Sequence, residues 1–244
     1  MQHFHIHRFE FKYLLSVKQY HSLKEDVLNY ANYDNYCMNN LDRSYFVYSL
    51  YFDSLNHANF WEKVDGISNR NKFRLRIYNI DPNAKPDIYL EIKRKINSVI
   101  VKDRAVFNFN DFKTDYRFMI DRLLINNTLP IDQKKVLDEF AYYVLKYHYK
   151  PTVLVEYKRE AFFGKYHSNI RITFDSNIKS YRADSLFSDN KIPDTVLAKE
   201  ILMELKFNGL LPSWFHHLIQ KYDLNREAHS KYCNSMIKTF KITI

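Results

Sequence analysis

Glycine, proline and cysteine are scarce in this chain, and each scarcity excludes something. Three glycines and six prolines among 244 residues leave no low-complexity or disordered tract, and no linker-like stretch divides the chain. Two cysteines, Cys37 and Cys233, build no disulfide framework and favour a reducing compartment. No apolar run approaches the roughly 18 residues of a transmembrane helix, and no apolar N-terminal segment resembles a signal peptide. No internal repeat is evident. These absences predict a soluble, cytoplasmic protein with residues 1–244 in a single domain, long enough to bury a proper core.

Positive charge is abundant instead. The chain holds 37 Lys and Arg against 28 Asp and Glu, a formal charge of +9. Such a balance points to a polyanionic partner: nucleic acid, an anionic membrane surface or a phosphate-rich small molecule. The pattern shows where the charge sits. In Lys72-Phe-Arg-Leu-Arg-Ile-Tyr78, Lys72, Arg74 and Arg76 alternate with Phe73, Leu75 and Ile77. In Tyr89-Leu-Glu-Ile-Lys-Arg-Lys95, Glu91, Lys93 and Lys95 alternate with Leu90 and Ile92. A period of two is a β-strand with one apolar and one charged face, and the turn formers of residues 79–86 make the pair an antiparallel hairpin.

The same alternation marks strands over residues 3–13, 44–53, 99–107, 152–163, 169–175 and 198–207, which brings the count to eight. Helical spacing marks residues 16–31, with Ser16 as N-cap, and residues 56–63, closed by Asp65 and Gly66. It also marks residues 111–147, a helix starting at Pro212, and a final helix over residues 226–239. The middle region carries two apolar stripes: Phe112, Tyr116, Met119, Leu123 and Leu124, then Val136, Phe140, Tyr143, Val144 and Tyr147. Residues 177–193 read as irregular. The expected class is α+β: a closed, eight-stranded, mostly antiparallel β-barrel with helices packed outside and the C-terminal helix near one mouth.

The charged strand faces hold Arg8, Lys12, Lys72, Arg74, Arg76, Lys93, Lys95, Lys102, Arg104, Arg159, Arg171 and Lys206, joined by Lys231 on the final helix. Their acids are Glu10, Asp53, Glu91, Asp175 and Glu204, so these faces carry nearly the whole net charge. A solvated sheet face routinely presents polar groups, and a single strand of this kind needs no further account. Arg and Lys at i and i+2 in strand after strand do. An eight-stranded barrel holds side chains or one small ligand, and a cationic interior repels itself unless a polyanion fills it. Arginine forks suit phosphate oxygens.

The carboxylates are either salt-bridge spacers or holders of a divalent metal that bridges phosphate oxygens. Glu204, Glu10 and Glu91 are the candidates, Glu204 first because it lies two residues from Lys206 on one face. His3, His5 and His7 form a row with no carboxylate or cysteine to complete a site, and read as an exposed strand start. The aromatics, 17% of the chain, occupy core parity, which argues against the stacking platform of a single-strand nucleic-acid binder.

Nine segments in this order resemble a known family: Arg8-Phe-Glu-Phe-Lys-Tyr13, Ser49-Leu-Tyr-Phe-Asp53, Lys72 to Tyr78, Leu90-Glu-Ile-Lys93, Val101-Lys-Asp-Arg104, Glu156-Tyr-Lys-Arg-Glu-Ala161, Arg171-Ile-Thr-Phe-Asp175, Leu202-Met-Glu-Leu-Lys206 and Ser230-Lys-Tyr232. The family is the VTC (vacuolar transporter chaperone) polyphosphate polymerase domain, among the triphosphate tunnel metalloenzymes related to CYTH phosphatases. The resemblance implies a tunnel of eight antiparallel strands that binds triphosphate or polyphosphate with Mn²⁺ or Mg²⁺ and moves the γ-phosphate of ATP onto a polyphosphate chain. It places phosphate contacts on Lys12, Arg74, Arg76, Lys93, Lys102, Arg159, Arg171, Lys206 and Lys231, and the metal on Glu204. Together with the charged faces, this makes Arg74, Arg76, Lys93, Arg159, Arg171 and Lys231 the candidate catalytic residues and Arg8, Lys12, Lys72, Lys102, Arg104 and Lys206 the candidate substrate-binding ones. The wider superfamily's Glu-x-Glu-x-Lys stands here as Arg8-x-Glu10-x-Lys12, with one metal carboxylate fewer. The phosphate-sensing SPX domain and membrane helices of the eukaryotic VTC proteins have no counterpart in the sequence, which leaves regulation and any membrane partner open. The alternatives are a metal-dependent tripolyphosphatase on the same cage and a non-catalytic polyphosphate-binding module.

Overall fold

The computed structural model describes residues 8–97, 99–112, 116–117, 120–121, 129–166, 169–187 and 192–244, with the backbone alone at Arg8, Asp111 and Phe112. The histidine row, the side chain of Arg8, and Phe112, Met119, Leu123 and Leu124 of the first middle stripe lie outside what is described.

The chain runs β1 (Arg8–Leu15), α1 (Val17–Tyr30), β2 (Ala31–Tyr33), α2 (Asn35–Met38), β3 (Tyr45–Asp53), α3 (Ala58–Val64) and β4 (Arg70–Ile77). A 3₁₀ turn, Pro82–Ala84, leads to β5 (Ile88–Ile96), β6 (Val99–Phe107), α4 (Phe109–Phe112) and α5 (Ile131–Lys146). Then follow β7 (Lys150–Gly164), β8 (Arg171–Arg182), β9 (Asp194–Leu197), β10 (Ile201–Asn208), α6 (Ser213–Lys221) and α7 (Lys231–Phe240). Local chemistry sets several boundaries. Ser16 and Gln19 form a capping box at the start of α1, each satisfying a backbone N–H of the other. Gly66, at φ 74°, closes α3, and the Ile67 N–H bonds the Glu62 carbonyl at 2.9 Å, the Schellman arrangement that glycine permits without Cβ strain. Among the described residues no helix is long and apolar enough to cross a membrane.

Eight strands pair in the order β1-β10-β8-β7-β3-β4-β5-β6, while β2 adds to β7 and β9 to β8 off this path. The pairings of β10 with β1 and β8, of β4 with β3 and β5, of β5 with β6 and of β2 with β7 are antiparallel. The eight expected strands are all present, but the expected closed barrel is corrected to an antiparallel path with two ends. Every residue of β1 pairs with β10 and every residue of β6 with β5, and among the described residues no ladder joins β6 to β1. Alternation fixes which face a side chain takes; closure depends on strand tilt and stagger, which period two does not encode.

Two compact units interleave along the chain: residues 1–46, 157–178 and 195–230, and residues 47–156, 179–194 and 231–244. In the first, Tyr13, Leu15, Leu23, Val27, Phe174, Met203, Leu205 and Phe215 form a buried core, so α1 and α6 cover the apolar parity of β1, β8 and β10. In the second, Leu50, Phe52, Phe73, Leu75, Leu90 and Ile92 pack against Val136, Leu137, Phe140 and Val144 of α5. Helix α5 thus covers the apolar parity of the hairpin, and the charged parity is left for other work.

Three boundaries differ from expectation. Strand β8 continues to Arg182 through Asn177 at a left-handed φ of 52°, a turn-like residue carried within a strand. The final helix starts at Lys231 rather than at residue 226, because Arg226 bridges to Tyr13 and the Glu227 N–H bonds the Lys12 carbonyl at 2.9 Å. Tyr147 caps the end of α5 and is 48% exposed, outside the apolar stripe. Strands β2 and β9, of three and four residues, are too short to show a period.

Candidate functional site

In the second unit, register turns the alternating charges into rows that cross the strands. Tyr51 faces Arg74, Arg74 faces Glu91 and Glu91 faces Arg104. One row further, Lys72 faces Lys93 and Lys93 faces Lys102. On the other side, Ser49 faces Arg76, and Arg76 faces Tyr89. Opposed side chains on adjacent strands sit close enough to interact directly, and like charges there are destabilising. Glu91 offsets that repulsion. It is fully buried, its Oε2 accepts from Arg74 Nε at 2.8 Å with Arg76 Nη1 at 3.8 Å, and its Oε1 accepts from Lys102 Nζ at 3.1 Å and Arg104 Nε at 2.9 Å. Burial alone would raise this carboxyl's pKa; Arg74, Arg76, Lys102 and Arg104 outweigh it and hold the group far below the usual carboxylate range. At Lys102, burial is the larger influence and lowers the ammonium's pKa, which Arg104 and Arg74 reinforce against Glu91.

The surplus of cations also reaches the phenols. Burial raises Tyr51, yet Arg74, Arg76 and Lys72 bring it below its ordinary value, with Arg74 Nη1 donating to its oxygen at 3.0 Å. Arg76 Nε donates to Ser49 Oγ at 3.0 Å. Lys231, at the first turn of α7, is 8% exposed. Its neighbour Tyr232 is fixed from three sides: its hydroxyl donates to Asp53 Oδ2, its ring packs on Tyr51 at 4.9 Å between centroids, and Lys72 Nζ lies 5.3 Å from its ring centre. Asp53, fully buried, also accepts the backbone N–H groups of Ser54, Asn59 and Phe60.

The first unit has its own rows. Glu10 faces Lys206 and Lys206 faces Arg171, while Lys12 faces Glu204 and Glu204 faces Thr173. Lys12 Nζ lies 3.3 Å from Glu10 Oε1 and 3.6 Å from Glu204 Oε1, and it donates to the His229 carbonyl at 2.8 Å. Lys206 Nζ donates to Glu204 Oε2 at 3.0 Å. Arg159 makes a two-pronged pair with Asp175, 2.6 Å from Nε and 2.7 Å from Nη2, and its Nη2 lies 3.9 Å from Glu204. Burial would lower the Arg159 guanidinium; the Asp175 carboxylate holds it well above its ordinary value. Arg171 turns instead to Asp34, at 3.3 Å.

The candidate residues therefore gather within each unit: Arg74, Arg76, Lys102 and Arg104 on Glu91 in one, and Lys12, Arg159 and Lys206 on Glu204 in the other, with Glu10 on Lys12. Lys72, Lys93 and Arg171 stand on the same polar parity, and Lys231 belongs to the second unit. Three participants have no role that the sequence alone assigns. Ser49 and Tyr51 share parity with Asp53 on β3, a signal that is present in the alternation. Asp34, a helix N-cap in a short connection, gives none.

Among the described residues no group of three or more His, Cys, Asp or Glu side chains gathers as a metal-holding set. Glu10 and Glu204, two hard oxygen donors brought together on Lys12, nevertheless suit a cation such as Mg²⁺, which takes one or two carboxylates and completes its shell with water and substrate phosphates. Glu91 has four cations on its two oxygens, and Glu204 has three, Lys12, Arg159 and Lys206.

Thr173 is 1% exposed and its hydroxyl lacks a hydrogen-bond partner among the described residues. A buried unsatisfied hydroxyl costs about 1–3 kcal/mol, so Thr173→Val, nearly the same shape, is expected to raise unfolding stability by about 1 kcal/mol. Urea unfolding checks this, and an unchanged or lowered midpoint would count against it.

The VTC domain family model matches residues 7–240, and so runs through both units. Among solved structures, a candidate adenylate cyclase from Bacillus halodurans shares the fold with a TM-score of 0.51 at 11% identity, over 91% of this chain and 92% of that one. A Pyrococcus horikoshii protein aligns with a TM-score of 0.45 at 10% identity, over 92% and 96% of the two chains. A candidate adenylyl cyclase from Hippeastrum, described as having a dominant triphosphatase activity, aligns with a TM-score of 0.43 at 11% identity, over 95% and 97%. No curated protein matches the sequence significantly.

Proposed function

The chain belongs to the VTC domain family, and from that premise we propose that it is a polyphosphate polymerase-type phosphotransferase, moving the γ-phosphate of ATP onto a polyphosphate chain with the help of a divalent metal. The observation that carries this reading is the register of the polar faces, where Arg and Lys stand opposite one another and buried carboxylates hold them in place. Phosphoryl transfer asks little covalent chemistry of a protein; it needs the phosphates positioned and their charge neutralised. In-register cations do both, and no protein nucleophile is required.

In the second unit Arg74, Arg76 and Lys93 take the catalytic phosphate contacts, with Lys72, Lys102 and Arg104 binding alongside and Lys231 orienting the reacting phosphate. Glu91 anchors these cations against one another. In the first unit Arg159 and Arg171 contact phosphate, with Lys12, Lys206 and Arg8 as further binding groups. Glu204 and Glu10 are the residues that would hold Mn²⁺ or Mg²⁺, which would supply positive charge to offset that of the phosphates. Residues 1–244 act in this reading as one catalytic domain.

Incubation with ATP and Mn²⁺, followed by ³¹P NMR, tests the proposal: chain-internal phosphate signals are expected. Orthophosphate alone would replace transfer by hydrolysis on the same residues. Tight polyphosphate binding without turnover under any divalent metal would leave a binding module. Glu204→Gln is expected to weaken Mn²⁺ binding about 10-fold or more, measured by calorimetry of the substrate-loaded protein; undiminished metal affinity would remove Glu204 from the metal site.

A further inference from the structure

Ser49 and Tyr51, neighbours on the polar face of β3, have no part in the reading above. Both are buried, Ser49 fully and Tyr51 to 6% exposure, and each stands in register with an arginine of β4. Each hydroxyl accepts from the arginine it faces. Ser49 Oγ takes Arg76 Nε at 3.0 Å, and Tyr51 Oη takes Arg74 Nη1 at 3.0 Å. A hydroxyl also carries one proton of its own to donate. Among the described residues neither hydroxyl gives that proton to an acceptor, and a buried donor left unmade is costly.

The groups that face Tyr51 either donate or are already spent. From β4, Lys72, Arg74 and Arg76 act on it, and ammonium and guanidinium groups have no acceptor to offer. From α7, the Tyr232 ring packs on it at 4.9 Å, and the Tyr232 hydroxyl is committed to Asp53. Cys233 lies 3.9 Å from Lys72 Nζ. On β5, beyond the arginines, the two oxygens of Glu91 already hold four cations. Burial would raise the Tyr51 phenol, yet Arg74, Arg76 and Lys72 bring it below its ordinary value. An oxygen set among surplus positive charge behaves in this way.

We propose that Ser49 and Tyr51 are phosphate-contacting residues, each donating its hydroxyl proton to an oxygen of the phosphate held by the arginine it faces. This rests on the phosphate reading above. The two hydroxyls add directed donors to the site without adding to the repulsion among its cations. Tyr51 also steadies its arginine. Arg74 gives Nε and Nη2 to Glu91 and Nη1 to Tyr51, so its fork is held from both edges. A bound phosphate keeps the proton on Tyr51, because losing it would set two negative charges side by side. Phosphate binding is therefore coupled to the protonation of Tyr51. Ser49 does not ionise in this range and brings no such coupling.

Calorimetric titration of the full chain with tripolyphosphate, repeated from about pH 7 to about pH 10, tests this. At neutral pH, Tyr51→Phe and Ser49→Ala are each expected to lower affinity about 10-fold, the worth of a hydrogen bond to a charged group. As pH rises the wild type should weaken further, because the phenol loses the proton it donates, and its curve should converge on that of Tyr51→Phe. Ser49→Ala should run parallel to the wild type throughout. Lys102, whose ammonium pKa is also lowered, titrates in all three proteins and cancels in the comparison. Undiminished affinity in either variant at neutral pH would overturn the inference. So would a Tyr51→Phe curve parallel to the wild type, which would leave Tyr51 holding Arg74 alone. If Tyr51→Phe folds poorly, Ser49→Ala decides by its affinity. A wild-type protein that binds no tripolyphosphate would overturn the phosphate reading itself.

Discussion

Glu91→Gln is expected to lower the unfolding free energy by about 3–5 kcal/mol, the cost of removing one partner from a buried ionic cluster. The side chain keeps its shape, so the loss is electrostatic: Arg74, Arg76, Lys102 and Arg104 remain where they are without the charge that offsets them. Two further readouts separate this from ordinary destabilisation. Added tripolyphosphate should raise the midpoint of the variant more than that of the wild type, because an anion supplies what the carboxylate did. The pH dependence should also differ. The folded-state pKa of Glu91 lies far below its ordinary value, which is about 4.3 in an unfolded chain. Its contribution is therefore fully present above that value and is lost progressively as pH falls below it. The wild type should lose stability there with a slope steeper by up to about 1.4 kcal/mol per pH unit than the variant. Equal midpoints for the two proteins at neutral pH would show that Glu91 does not hold the cations.

Asp175→Asn is the second large effect, about 3–5 kcal/mol by the same argument. Asp175 is fully buried and Arg159 is 7% exposed, and the two prongs between them are charge-assisted hydrogen bonds, the stronger kind. The amide accepts one prong and turns a donor toward the other, leaving the guanidinium half-compensated, with Glu204 3.9 Å away. A double-mutant cycle with Arg159→Met should show strong coupling: once the cation is gone, Asp175→Asn costs far less than it does alone. Additive losses in urea unfolding would mean that the pair contributes nothing beyond its separate members.

Much of this arrangement is legible because period-two alternation is a local property. The hairpin of β4 and β5 can be read from Lys72 to Lys95 alone, and with it the parity that sets Phe73 and Leu75 under α5 and Arg74 and Arg76 on the other face. Opposition of Arg74 to Glu91 is a matter of register, which the turn formers of residues 79–86 bound without fixing. What stays hidden is non-local. The pairing of Arg171 with Asp34 spans 137 residues and rests on a short connection without a pattern. The strand-like course of Arg226 and Glu227 beside β1 overrides a helical spacing that continues into α7. Openness of the strand path is hidden for the same reason, since both end strands look like inner ones in their own sequences. Glu91 reads from its spacing as either spacer or metal ligand, and no spacing rule separates the two; the number of cations around a carboxylate is a tertiary fact.

The bond from Tyr232 to Asp53 spans 179 residues of sequence, and this has a consequence for how the protein is assembled. Strands β4, β5 and β6 follow one another through short connections, so their rows can form from local pairing, whereas closing a loop of this length is entropically costly and slow. A chain emerging from the ribosome folds N-terminal segments first, and therefore displays its ladder of arginines and lysines before Lys231 can dock beside them. During that interval the in-register cations of β4, β5 and β6 stand without the final helix, whose Lys231 and Tyr232 come last in the chain. Asp53, by gathering α3 and then α7 onto one carboxylate, marks the moment at which that exposure ends.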